Sequence, residues 1–124
     1  MRLGIVAALL LTGQAVLAAR LPRVEVVTSI PVETTIDDAG TRKAATVWRE
    51  MIGRARTSLD LAEFYLTGKE GESLEPVVQA IIGAAGRGVR VRVLIDHKMA
   101  NNSLELAGRL AAVPGITLRQ FDWS

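Results

Sequence analysis

The sequence contains no cysteine and a single histidine, His97. The first absence excludes a disulfide-stapled fold, a thiol nucleophile, a zinc finger, an iron–sulfur cluster and a lipidated amino-terminal cysteine. The second excludes a histidine-rich metal site, and a histidine pair working as acid and base within one copy of the chain. Aromatic residues make up 4% of the chain, few for the stacking platforms that hold single-stranded nucleic acid. An excess of one charge is missing too, because 15 Lys and Arg stand against 13 Asp and Glu, for a net charge of +2. The pI near 9.5 therefore reflects an arginine-rich but nearly balanced chain and gives little support to nucleic-acid binding. At 124 residues the chain has room for one domain.

The amino terminus is where long apolar sequence occurs. Met1-Arg2 gives a short positive start, Leu3 to Leu11 is almost unbroken apolar sequence, and Val16-Leu17-Ala18 provides a site for signal peptidase. Residues 1–18 are thus expected to be an export signal cut after Ala18, with Ala19 the neighbouring option. An uncleaved anchor is the alternative, since Leu3 to Ala19 just reaches the ~17 residues needed to cross a bilayer, although Thr12, Gly13 and Gln14 interrupt it. Either way residues 19–124 are expected outside the cytoplasm, secreted or periplasmic.

The remaining sequence alternates between two periods. Val24 to Ser29 is a β-branched run, and Pro31 to Gly40 reads as a loop. Ala44, Trp48, Met51, Ile52 and Ala55 fall on one face of a helix that ends near Arg56. Ser58 to Leu66 alternates as a strand with both faces partly apolar, the pattern of an internal strand. Ser73 can cap a second helix with Pro76 in its first turn and Leu74, Val78, Ile81, Ile82 and Ala85 as its buried stripe; Gly88 ends it. In the strand Val89 to Ile95, Val89, Val91 and Val93 take one face and Arg90 and Arg92 the other, with Asp96 closing it. A third helix spans Ser103 to Ala112 through Leu106, Ala107 and Leu110, Pro114-Gly115 turns the chain, and Ile116 to Phe121 begins another strand. Helices between strands are the crossovers that parallel strands require, so the expected class is α/β, a mostly parallel sheet flanked by helices.

Candidates for chemistry are few. Glu63 and Tyr65 share a strand face with Leu59 and Leu61, placing a carboxylate and a phenol near one sheet edge; the structural alternative is a buried hydrogen-bonded pair. Asp96 stands at the carboxyl end of a parallel strand, where open α/β sheets hold ligands, or else it caps the turn that follows. His97 and Lys98 are adjacent, so on extended backbone they point apart, and a surface loop is expected. Gly68-Lys69 fails as a phosphate loop, with Glu63 where the first glycine belongs and Glu70 where Ser or Thr belongs. Arg87, Arg90 and Arg92 form a basic strip, read as a solvated or salt-bridged strand face.

Four stretches, in order, resemble the amino-terminal half of the phospholipase D superfamily: Ser29 to Thr35, Val47-Trp48 to Ile52, Thr57 to Tyr65, and Gly86-Arg87-Gly88-Val89-Arg90-Val91-Arg92-Val93-Leu94-Ile95-Asp96. The resemblance implies hydrolysis of a phosphodiester, phospholipid or nucleic acid, with no metal and no organic cofactor. It also implies a His-x-Lys-x4-Asp signature used twice per site, in one chain or across a homodimer. Alternation puts the His and Lys on one strand face, where one imidazole attacks phosphorus, the lysine offsets oxygen charge and the second histidine protonates the leaving oxygen. That signature is not in this sequence, and His97-Lys98 lacks the intervening residue. No catalytic residue is therefore assigned, and Glu63, Tyr65 and Asp96 are expected on the substrate side as the wall of the site. The expectation is a phospholipase D-like domain represented by its amino-terminal part, inactive alone and prone to aggregate, completed by a carboxyl-terminal half or a second copy. A lipid substrate would bring it to a membrane surface as a peripheral protein.

Overall fold

The computed structural model describes residues 24–31, 33–36 and 40–122. The export signal expected over residues 1–18 lies outside the described residues. The elements run β1 (Val27–Thr28), β2 (Arg42–Lys43), α1 (Ala44–Arg54), β3 (Ser58–Glu63), α2 (Glu75–Gly86), β4 (Arg90–Asp96), a 3-10 segment (His97–Ser103), α3 (Leu104–Ala111) and β5 (Ile116–Phe121). The protein has the α/β architecture, with parallel strands in two sheets.

The main sheet has the order β3-β4-β5 and every pair in it is parallel. Ser58 pairs with Arg90 and Glu63 with Ile95, while Val91 pairs with Ile116 and Asp96 with Phe121, so the three strands end on one rim. Strand order follows chain order, so right-handed crossovers place α2 and α3 on the same face. Against them β4 buries Val91, Val93 and Ile95, which together with Val78, Ile81, Ala84, Leu106 and Leu110 make the core. The opposite face carries Asp60, Ala62, Arg90, Arg92, Leu94, Thr117 and Arg119 at alternate positions.

α2 buries a wider arc than its stripe predicts. Val77 and Ala84 are buried, whereas Leu74 and Ile82 are only partly so, because α2 is wedged between the sheet and α1. Ser73 does not cap it: the helix starts after Leu74 without a side-chain cap, and the preceding turn is closed by Glu72, whose carbonyl accepts from the Glu75 N–H at 3.0 Å. At its far end Gly88 has φ 85°, a left-handed conformation that lets the chain reverse directly into β4.

α1 corrects a second expectation. Only Ala44 and Ile52 are buried, while Trp48 and Met51 are 48% and 63% exposed. The helix packs on α2 and on the short β1–β2 pair rather than on the sheet. Its apolar stripe is real, but half of it overhangs an open groove. The first strand is also shorter than the run Val24 to Ser29 suggests, since only Val27 and Thr28 find partners, in Arg42 and Lys43.

Candidate functional site

Three strands ending together place Glu63, Asp96 and Phe121 along one rim. Below Glu63 runs a groove of about 490 Å³ between α1, β3, α2 and α3, floored by Leu59 and Leu61 and walled by Trp48, Met51, Val77 and Ile81. Glu63, Tyr65 and Thr67 line its rim end. β3 is bonded on one side only among the described residues, which corrects the reading of it as an internal strand.

That edge position also decides the state of Glu63 and Tyr65. They do not form a buried hydrogen-bonded pair: both are exposed on the rim, Tyr65 to 48%, with no element among the described residues covering them from the β3 side. The Tyr65 ring lies 5.9 Å from that of Phe64, tilted by 58°. Glu63 is partly desolvated by the apolar walls, which pushes its carboxyl above the ordinary carboxylate range.

Asp96 takes the capping role. Its Oδ1 accepts from the Lys98 backbone N–H at 2.7 Å and starts the 3-10 segment. It stands on the rim but does not line the groove. His97 and Lys98 are both exposed, as expected of a surface segment, and His97 Nδ1 lies 3.1 Å from Oε1 of Gln120 on β5. Two positioning contacts were not anticipated from the sequence. Gln120 is one, and the other is Ser103, 1% exposed, whose Oγ accepts from the Leu66 N–H at 2.8 Å. Ser103 thereby fixes the loop that carries Tyr65 and Thr67 past the rim.

The basic strip is mostly committed elsewhere. Arg92 grips both carboxylate oxygens of Asp60, with Nη2 to Oδ2 at 2.7 Å, and holds that carboxyl below its ordinary range. Arg87 donates to the carbonyl of Ile52 at 3.2 Å. Among the described residues there is no cluster of three His, Cys, Asp or Glu arranged to hold a metal ion, and no helix is long and apolar enough to cross a membrane. The site, as these residues build it, is one wall: a carboxyl and a phenol on a rim, above an apolar slot.

Comparison with known proteins supplies the family. The model for the cardiolipin synthase, phospholipase D-like domain matches residues 48–117, a range that runs from within α1 through Glu63 and Asp96 to the start of β5. Phospholipase D Y of Dictyostelium discoideum is 28% identical over 109 residues, covering 81% of this chain and 24% of that protein. Phospholipase D Z of the same organism is 27% identical over 85 residues, covering 61% of this chain and 20% of that protein. The chain therefore spans about a quarter or less of the length of these relatives. With more than half of its residues inside the matched domain, the chain belongs to the phospholipase D-like domain family.

Proposed function

We propose that this chain forms part of an exported phosphodiesterase of the phospholipase D type, with a phospholipid headgroup ester as the favoured substrate. The observation that carries this reading is the family match over residues 48–117, which includes Glu63, Tyr65 and Asp96. The amino-terminal pattern of residues 1–18 supports export.

In this reading the strand rim is the substrate wall. Tyr65 donates to a phosphoryl oxygen, Glu63 stands beside it at the mouth of the groove, and Asp96 holds the rim's shape through the Lys98 amide. The reactive groups come from His-x-Lys-x4-Asp segments on further polypeptide, used as a pair within one protein or across a homodimer of it. One imidazole attacks phosphorus, the other protonates the leaving alkoxide, and the phosphohistidine formed is then opened by water or an alcohol. No metal or organic cofactor takes part.

The absence of that signature from the 124 residues favours one other reading, a non-catalytic α/β binding module. Sequencing the gene in all frames beyond codon 124 separates the two. A signature in frame, with hydrolysis of a generic phosphodiester that is lost on His-to-Ala replacement, supports the enzyme; no signature, or activity that survives the replacement, overturns it. Headgroup release from phospholipid vesicles compared with digestion of single-stranded DNA then assigns the substrate, and digestion of DNA alone makes the protein a nuclease.

A further inference from the structure

Two hollows border α1, and their charges differ. The one beside β1, about 520 Å³, is lined by Glu25, Arg42, Glu50 and Arg54, which satisfy one another: Arg42 meets Glu25 at 3.2 Å and also Glu50, and Arg54 lies 3.7 Å from Glu50. It asks for no further charge. The groove beside β3 is lined mostly by apolar side chains, and of its two carboxylates Asp60 is held by Arg92. Glu63, at the mouth, has neither an ion pair nor a hydrogen bond among the described residues.

That unmatched carboxylate decides what the groove suits. A wholly apolar occupant would strip water from Glu63 and offer nothing in its place, and an anionic one would be repelled. A cationic end compensates the charge. Tyr65 and Thr67 line the same end of the groove, so their oxygens and the Glu63 carboxylate give the three protons of a primary ammonium three acceptors. From Leu59 to Glu63 the strand rises ~13 Å, about the length of a ten-carbon chain. The groove's volume, about 490 Å³, falls within the ~300–1,000 Å³ of small-molecule sites.

We infer that the groove binds a long-chain primary amine, with the alkyl chain between Leu59 and Leu61 on one side and Trp48 and Met51 on the other, and the ammonium on Glu63, Tyr65 and Thr67. The apolar walls supply most of the affinity, and the carboxylate selects the sign of the charge. Such a ligand carries no phosphate, and its binding holds whether or not the assembled protein cleaves a phosphodiester.

Calorimetric titration of the full chain with decylamine, followed by methyl NMR, tests it. Decanoate keeps the chain length and reverses the charge, and butylamine keeps the ammonium without the long chain. Decylamine is expected to bind roughly tenfold or more tightly than either. It should shift the methyl signals of Met51, Leu59, Leu61 and Ile81 and leave those of Val89 and Ile116, which do not line the groove, in place. Glu63→Gln, a change at an exposed position, should weaken decylamine roughly tenfold without weakening decanoate. Equal affinity for decanoate overturns the inference, as does a Glu63→Gln variant that binds decylamine like the parent chain. So do methyl shifts confined to signals outside the groove, which adherence to the apolar residues 3–11 would give, and a lack of binding at millimolar amine. Groove shifts that grow with protein concentration and without amine assign the groove to a second copy and overturn the occupant named above. Both measurements are read without catalysis, so amine binding with no phosphodiester cleavage would fail the functional reading and leave this one standing.

Discussion

β4 and β3 lie side by side in matched register, yet they live in different environments. β4 is bonded on both sides and buries Val91, Val93 and Ile95 to 2% exposure or less. Among the described residues β3 is bonded on one side, and its apolar Leu59 and Leu61 are only partly covered. Alternation is equally clear in both strands; what differs is whether neighbours arrive on both flanks. Burial is thus a property of position in the sheet rather than of the alternation itself.

The comparison can be broken most directly by truncation. Ile95→Ala should cost about 2–5 kcal/mol, while Leu59→Ala, with less cover to lose, should cost no more than ~1–2 kcal/mol. Urea unfolding at unchanged slope measures both, and equal losses would show β3 to be as enclosed as β4. Next in size, Ser103→Ala removes the acceptor of the Leu66 N–H and leaves that donor unpaired beside the core, at a cost of ~1–3 kcal/mol. Faster exchange at Leu66, with the β4 amides unaffected, would confine the damage to the loop at the groove. Gly88→Ala meets no neighbouring atom but must hold φ 85°, which costs ~1–2 kcal/mol at the turn into β4.

The smallest effects are two opposed pH dependences. Arg109, bonded through both amino groups, and then Gln79, hold the Glu75 carboxyl below its ordinary range. Its contribution is present above the ordinary value near 4.5 and is lost as pH falls through the lowered folded value. Glu63 is shifted the other way by desolvation, so the fold loses stability as pH rises from near 4.5 through its raised value. Glu75→Gln should flatten the acid limb of the stability profile, and Glu63→Gln should raise stability slightly at neutral pH. Urea midpoints between about pH 3 and pH 7 would show both, and a loss of stability at neutral pH in Glu63→Gln would mean the carboxylate has a partner.

Much of the fold was legible because local and global preferences agree. The alternation of Val89 to Ile95, the stripe Leu106, Ala107 and Leu110, and the glycines at the turns identify β4, α3 and their connections without reference to anything distant. Legibility ends where a second element decides the outcome. The spacing of Trp48 and Met51 shows an apolar face but not that α1 would overhang a groove. The breadth of the α2 stripe depends on α1 lying behind it, and Ser73 gives way as a cap to a turn closed by Glu72. At the site, sequence parity put Glu63 and Tyr65 on one face of the strand expected over Ser58 to Leu66; the strand ends at Glu63, and both residues line the groove. The partnerships Ser103–Leu66 and His97–Gln120 span 37 and 23 residues, and single-residue patterns hold no trace of them.

Arg87 ties two parts of the molecule together. Its guanidinium reaches from the turn before β4 to the carbonyls of Ile52 and Gly53, where α1 runs out of internal partners for its peptide oxygens. One cation therefore ties the electronegative end of α1 to the turn that leads into the best-buried strand. α1 is seated on α2 rather than on the sheet, and this clasp adds a second tie, from its carboxyl end to the turn that leads into β4.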